Sequence, residues 1–237
     1  MRVMTFNVQH FLDYKNKKID FDLFADFIKK QNVDVCGINE VRGAGPLDGY
    51  TDQLNTVADK LSYKRYFGEE IKVQGKNPYG NGIIAKKDFI KAETIKIPDP
   101  KIKLPWHHYE TRCVIKASLD FDGRKVLFFV CHMGLAEAER KNAVKTLCRL
   151  LDETDSPAIV MGDFNATPDK KVLSPLFKRL TDTDVIAETK NLPTFPSDNP
   201  EIKIDYMLYR GLRCENVQTV NEVVSDHLPI IAEFSII

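Results

Sequence analysis

The sequence predicts an α/β fold built as a four-layer sandwich, with two mixed β-sheets packed face to face and helices on the outer faces. Three observations lead there. Strand-like segments recur along the chain, at residues 2–8, 33–41, 63–71, 80–86, 90–97, 109–120, 125–133, 158–163, 203–209, 214–220 and 229–236, too many for one open sheet. Apolar stripes at helical spacing lie between some of them. Segments 80–86 and 90–97, separated by a short turn, predict an antiparallel pair. Two sheets with helices outside bury all these faces and bring strand ends from both sheets to one edge.

A first helix is expected after Asp20, a capping residue, with Phe24, Phe27 and Ile28 on one face. A second is expected after Thr51, with Leu54, Val57, Ala58 and Leu61 along one stripe. Val144, Leu147, Cys148 and Leu151 make the stripe of a third. No Gly/Ser-rich linker, low-complexity tract or compositional break divides the 237 residues, so residues 1–237 are expected to form one domain.

Lys plus Arg and Asp plus Glu both number 34, so the summed field offers no broad positive surface for non-specific nucleic-acid binding. The stretch Lys15-Asn16-Lys17-Lys18 is short and is expected to be a solvated loop. The five cysteines are odd in number, scattered and mostly inside apolar runs, as reduced core thiols are, and point to the cytoplasm. Met1 to Asn7 alternates as a strand does rather than opening a secretory leader, and no apolar run reaches transmembrane length.

Several strand segments end in acidic, amide or imidazole residues directly after a hydrophobic run. Asn7 follows Val3-Met4-Thr5-Phe6, and Glu40 follows Val35-Cys36-Gly37-Ile38-Asn39. His132 closes Val126-Leu127-Phe128-Phe129-Val130-Cys131, while Asp163 and Asn165 close Ala158-Ile159-Val160-Met161-Gly162. A single strand-end Asn or Asp usually forms a turn or caps a helix. Recurrence asks for a common partner, because burying such a group unpaired costs about 2–7 kcal/mol. Asn7, Glu40, Asp163, Asn165 and Asp226 are all oxygen donors, which suits a hard cation, Mg²⁺ or Mn²⁺, rather than zinc. No cysteine or histidine spacing supplies a zinc cage, and the adjacent His107 and His108 face opposite ways on an extended segment.

In order, the chain shows Thr5-Phe6-Asn7-Val8, Ile38-Asn39-Glu40-Val41, Tyr79-Gly80-Asn81-Gly82, Glu110-Thr111-Arg112 and Cys131-His132-Met133-Gly134-Leu135. Gly162-Asp163-Phe164-Asn165-Ala166-Thr167-Pro168, Ile204-Asp205-Tyr206-Met207 and Ser225-Asp226-His227-Leu228-Pro229 follow. Over nearly its whole length this resembles the endonuclease/exonuclease/phosphatase superfamily, which includes deoxyribonuclease I, exonuclease III, neutral sphingomyelinases, inositol polyphosphate 5-phosphatases and deadenylases. Gly-Asp-Phe-Asn and Ser-Asp-His-Leu-Pro are specific when they occur together in this order.

The resemblance implies a deoxyribonuclease I-like fold and a metal-dependent hydrolase of phosphate esters. Glu40 resembles the principal metal-binding carboxylate, with Asn7 beside it and Asp226 as a further metal-side carboxylate. Asp163 and Asn165 match the pair that positions the attacking water and the phosphate. Asp205 and His227 resemble the family's hydrogen-bonded dyad, His132 and Arg112 its phosphate contacts, and Asn81 is carried over as substrate-binding. The chemistry needs these types: a metal to stabilise charge on the non-bridging oxygens, donors around the phosphoryl group, and a group that takes a proton from water. Either Asp163 or His227 can be that base.

Two departures narrow the branch. Gln9 and His10 follow Asn7 with no basic duplex-binding insertion nearby, and His132 stands where the apurinic endonucleases have Tyr, which disfavours repair of abasic DNA. Ala166-Thr167-Pro168 stands where the inositol phosphatases carry an Arg-containing stretch, which disfavours that branch too. What remains resembles small bacterial-type phosphodiesterases.

Two loops are candidate substrate contacts. The stretch from Pro98 to His108 carries Trp106, the only tryptophan, among lysines. It is either a stacking platform for a base or lipid headgroup or, more commonly for such a residue, packing that holds the loop down. Leu192-Pro193-Thr194-Phe195-Pro196 precedes Asp205 and either sets Thr194 near the phosphate, with Phe195 as a wall, or is an ordinary crossover. The expected partner is a phosphate-ester substrate: a nucleic acid, a phospholipid-type molecule or a small diester. The alternatives are a phosphomonoesterase acting on a soluble phosphorylated metabolite, for which a Lys/Arg cluster after Asn165 is missing, and a non-catalytic binding module, which has no need of an intact dyad.

Overall fold

The computed structural model describes residues 1–187 and 192–237. Strands β1 (Arg2–Asn7), β2 (Val35–Arg42), β3 (Lys64–Val73) and β4 (Asn77–Ala85) open the chain. Strands β5 (Lys91–Lys96), β6 (Cys113–Phe121), β7 (Arg124–Cys131), β8 (Ala158–Asp163), β9 (Thr181–Asp182) and β10 (Asp205–Arg210) follow, and β11 (Leu212–Thr219) and β12 (Ile230–Ile236) close it. They form two six-stranded mixed sheets, ordered β11-β12-β1-β2-β4-β3 and β5-β6-β7-β8-β10-β9. Helices α1 (Phe21–Gln31) and α2 (Gln53–Leu61) cover the first sheet, and α3 (Glu137–Asp152) covers the second. The result is the four-layer α/β sandwich of deoxyribonuclease I type.

The layers follow from the two-residue period of a strand. Val3, Val35, Phe128 and Ile159 point into the space between the sheets. Their sequence neighbours Met4 and Cys36 point under α1 and α2, and Phe129 and Val160 under α3. Both faces of each sheet are therefore apolar, and burial of a single such side chain contributes about 1.5–3 kcal/mol. Asp20 caps α1 by accepting from the Leu23 N–H at 2.9 Å. All five cysteines are buried and free. Among the described residues no helix is long and apolar enough to cross a membrane.

Three local expectations are corrected. Strands β4 and β5 do not pair: both edges of β4 are already taken, by β2 and β3, and the chain crosses from one sheet to the other after Lys86. Asp52, not Thr51, caps α2, accepting from the Asn55 N–H at 3.0 Å. Glu110 and Arg112 lie just ahead of β6 rather than in it.

Candidate active site

The polar strand ends meet along one edge of the sandwich because the registers bring them there. Asn7 and Asn39 are partners across the parallel pair β1–β2, and Asp163 and Asp205 across the antiparallel pair β8–β10. Strands β7 and β8 run parallel, and the Met133 N–H donates to the Asp163 carbonyl at 2.9 Å, which sets His132 beside Asp163. Gly162 makes this approach possible. Its φ is +138°, and a Cβ there would run into the Cys131 carbonyl oxygen.

One carboxylate oxygen is the point of convergence. Asp163 Oδ2 lies 3.2 Å from Asn7 Nδ2, 3.5 Å from His132 Nε2 and 3.9 Å from His227 Nε2. Asp163 Oδ1 accepts from the Asn165 N–H at 2.8 Å, which stabilises the left-handed backbone of Asn165 at φ 48°. His227 Nδ1 lies 2.8 Å from Asp205 Oδ2, joining residues 22 positions apart. Asp205 Oδ1 is buried and has no hydrogen-bond partner among the described residues.

Glu40 reaches the cleft through a bulge. Ile38 pairs with Gly82 and Val41 with Gly80, so Asn39 and Glu40 together oppose Asn81, and Glu40 takes φ 64°. Such a break of alternation re-aims side chains. Glu40 turns into the cleft, where it accepts from Asn7 Nδ2 at 2.9 Å and the Tyr79 hydroxyl at 3.0 Å. A second bulge, where Glu69 pairs with Gly80 and Ile71 with Tyr79, turns Glu70 inward.

The two bulges build a buried relay under the cleft floor. The Asp163 N–H donates to Asn39 Oδ1 (2.9 Å), Asn39 Nδ2 to Asn81 Oδ1 (2.8 Å) and Asn81 Nδ2 to Glu70 Oε1 (2.8 Å). Glu70 Oε2 then accepts from Arg112 Nη1 at 3.0 Å, and Arg112 Nη2 pairs with Glu110 at 2.7 Å. Arg112 Nη1 is also 3.2 Å from His132 Nδ1. A guanidinium only donates, so Nδ1 accepts, while Nε2 lies 3.0 Å from Asn165 Nδ2 and 3.5 Å from Asp163 Oδ2.

Electrostatics divide the groups. Burial, reinforced by Arg112 and His227, holds the His132 imidazole well below its usual pKa. Burial also disfavours charge on His227, but Asp205, Asp163 and Asp226 outweigh it and raise its pKa to about 10. Burial and then Asp205 push the Asp163 carboxyl up, against the relief His227 gives. Asp226 moves up through burial and the neighbouring Glu40. Three carboxylates thus surround the His227 imidazole, with Glu40 beside Asp226.

That excess of buried anionic oxygen, with the orphaned Asp205 Oδ1, is a donor set that fits a hard divalent cation. Donor atoms of Asp163, Asp205 and His227 lie within 4.8 Å of one another. The 2.8 Å contact commits His227 Nδ1 to Asp205, however, and suits that trio to holding a proton. Glu40, held by Asn7, and Asp226, which Glu40 is near enough to raise, are the other oxygen donors at this edge.

Three expected substrate contacts lie elsewhere. Asn81 is 0% exposed, with both ends of its amide engaged in the relay, and has no surface to offer. Thr194 is 0% exposed as well, and its hydroxyl faces the Ile204 and Asp205 N–H groups at 3.4 Å, so it holds the backbone ahead of Asp205. Trp106 is 72% exposed and neither packs its loop down nor lines the cleft. Phe195 sets its ring 4.9 Å from that of His227. The cleft, of about 380 Å³, is lined by Glu40, Arg112 and His132, by Tyr79 of the Tyr-Gly-Asn-Gly motif, and by residues for which no role was expected: His10, Arg42 and Tyr50.

The sequence matches the model of the Endonuclease/Exonuclease/phosphatase family over residues 4–227. A family protein from Leptotrichia buccalis has the same fold with a TM-score of 0.80 at 21% identity, covering 99% of both chains. A mannosyl-6-phosphatase of Bacteroides thetaiotaomicron superposes with a TM-score of 0.80 at 15% identity, again over 99% of both. A UPF0294 protein of Vibrio vulnificus is 28% identical over 98 residues, 41% of this chain and 34% of that protein. The matched regions span between about a third and just over half the length of the curated relatives. With the family model spanning all the motifs around the cleft, the chain belongs to the Endonuclease/Exonuclease/phosphatase family.

Proposed function

We propose that the chain hydrolyses phosphodiesters with Mg²⁺ or Mn²⁺, by in-line attack of water at the cleft. The observation that carries this is the convergence of Asn7, His132 and His227 on Asp163 Oδ2, beside Glu40 and Asp226. Glu40 and Asp226 would hold the ion, with Asn7 orienting Glu40; when bound, the ion withdraws charge from the non-bridging oxygens. Asp205 fixes the tautomer and direction of the His227 ring, leaving Nε2 toward Asp163. His227, whose pKa its acidic neighbours raise, donates to the phosphoryl group. Asp163, whose pKa is moved up toward the working pH, takes the proton of water. Asn165 and neutral His132 are donors to the phosphoryl oxygens.

Charge favours a diester. Among the described residues the Arg112 cation is matched by Glu70 and Glu110 and no lysine lines the cleft, which leaves Arg42 as its unpaired cation; the carboxylates around Asp163 repel a dianionic monoester more than a monoanionic diester. With 34 basic against 34 acidic residues, duplex DNA should be a poor substrate. The test is turnover of bis-p-nitrophenyl phosphate, p-nitrophenyl phosphate, plasmid DNA, RNA and sphingomyelin in Mg²⁺ or Mn²⁺. A higher kcat/KM for the simple diester than for its monoester is expected. Preference for the monoester, or no metal-dependent turnover of any ester, overturns the proposal.

A further inference from the structure

Among the described residues two arginines line the cleft, and one of them is spent. Arg112 lies between two glutamates. The Arg42 guanidinium makes no ion pair or hydrogen bond among the described residues; it lies 5.2 Å over the Tyr50 ring, and both side chains face the cleft. This is not an ordinary solvated arginine, because its support is built. Tyr50 is buried and anchored by its hydroxyl, which donates to the Pro78 carbonyl at 2.8 Å. The buried Gln53 accepts from the Arg42 N–H at 3.0 Å and donates to the His10 carbonyl at 2.9 Å, tying the two cleft-wall residues together. Gln9, His10 and Phe11 are all left-handed, at φ 44°, 48° and 59°. Strain of this kind persists only where the surroundings impose it, and it clusters at ligand sites.

Resting on the diesterase proposal, we infer that Arg42, stacked on Tyr50 and flanked by His10, is a subsite for a second phosphate carried on one arm of the substrate. A planar guanidinium with free donors, pre-oriented on an aromatic face, matches phosphate geometry. Among the described residues the other charged groups of the cleft are acidic or ion-paired, so a terminal phosphate finds an unspent cation at the Arg42 end. The cavity of about 380 Å³, lined from His132, whose Nε2 is 3.5 Å from Asp163, to Arg42, admits a nucleotide-sized molecule. The substrate class is therefore a phosphodiester bearing a further phosphomonoester, with the scissile group at Asp163 and the second anion at Arg42.

The test compares ligands that differ only in that phosphate. Calorimetry in Mn²⁺ with thymidine 3′,5′-bisphosphate and thymidine 3′-phosphate measures binding. Hydrolysis of thymidine 3′-(p-nitrophenyl phosphate), with and without a 5′-phosphate, measures kcat/KM. In the wild type the 5′-phosphate should tighten binding and raise kcat/KM by about 10- to 100-fold, the range of a charge-assisted bidentate contact. In Arg42→Ala, and in Arg42→Gln, which keeps the stem, this advantage should collapse to about one. Lys145→Ala, which removes the same charge on the outer face of α3, should keep it and so exclude a general field effect. No advantage in the wild type, or an undiminished one in both Arg42 variants, overturns the subsite. Arg42-dependent binding without turnover refutes the hydrolase proposal alone; turnover without the advantage refutes the subsite alone.

Discussion

The Arg112 wall and the Arg42 wall of the cleft share a charge type and little else. Arg112 is 8% exposed, lies between Glu70 and Glu110, touches His132, and connects through Glu70, Asn81 and Asn39 to the backbone of Asp163. Arg42 is half-exposed and rests on an aromatic ring with its donors unused. A buried charge must be matched, so the first wall is rigid and its members cannot be removed singly. The second costs the fold little to change. Position is set on one side of the cleft and choice of ligand on the other.

The largest expected effect tests the rigid side. Asp205→Asn and His227→Ala should each lower kcat/KM by about 10²–10⁴. They should combine less than additively, because the 2.8 Å pair acts as a unit. Full additivity in the double variant would separate the two residues and dissolve the dyad. Next comes stability. Arg112→Ala leaves Glu70 buried without its cation and should destabilise the protein by about 3–5 kcal/mol in urea unfolding. Arg42→Ala should stay within about 0.5 kcal/mol, and equal losses would erase the contrast between the walls.

Metal affinity gives a smaller effect. Glu40→Gln should weaken Mn²⁺ binding, by calorimetry, by more than the about 10- to 100-fold that loss of an outer-shell partner costs, without lowering the metal-free melting temperature. Unchanged affinity moves the ion away from Glu40. Smallest is Tyr79→Phe, which removes the hydroxyl donor to Glu40 Oε2 and should cost about 0.5–1.5 kcal/mol of Mn²⁺ binding.

The same contrast explains what could be read before the structure. The dyad and the strand-end residues were legible because each is a polar group breaking an apolar run, in a recognisable order. Asn39 and Glu70 were not, since two bulges decide which way they point, and a bulge depends on the partner strand's register. Asn81 shows the cost of reading a motif without its register: it sits under the site, not in it. Arg42, two residues past Glu40 in β2, carried a positional hint, but its freedom from partners exists only in three dimensions. Thr194 was assigned to the right loop and the wrong contact, because its hydroxyl faces backbone rather than the cleft. The fold was more legible than either wall, since apolar runs mark most of the strands; what failed was local, namely the β4–β5 pairing where a short turn joins two sheets, the cap of α2, the start of β6 and the two-residue β9.

The most direct test of the account is kcat/KM for bis-p-nitrophenyl phosphate in Mn²⁺, in excess EDTA after exhaustive dialysis, and in Mn²⁺ with Asp163→Asn. Hydrolysis only by wild-type protein with metal, and a loss of at least about 100-fold in Asp163→Asn, is the result predicted from convergence on Asp163 Oδ2. Full activity in EDTA, or an Asp163→Asn variant as fast as the wild type, contradicts it.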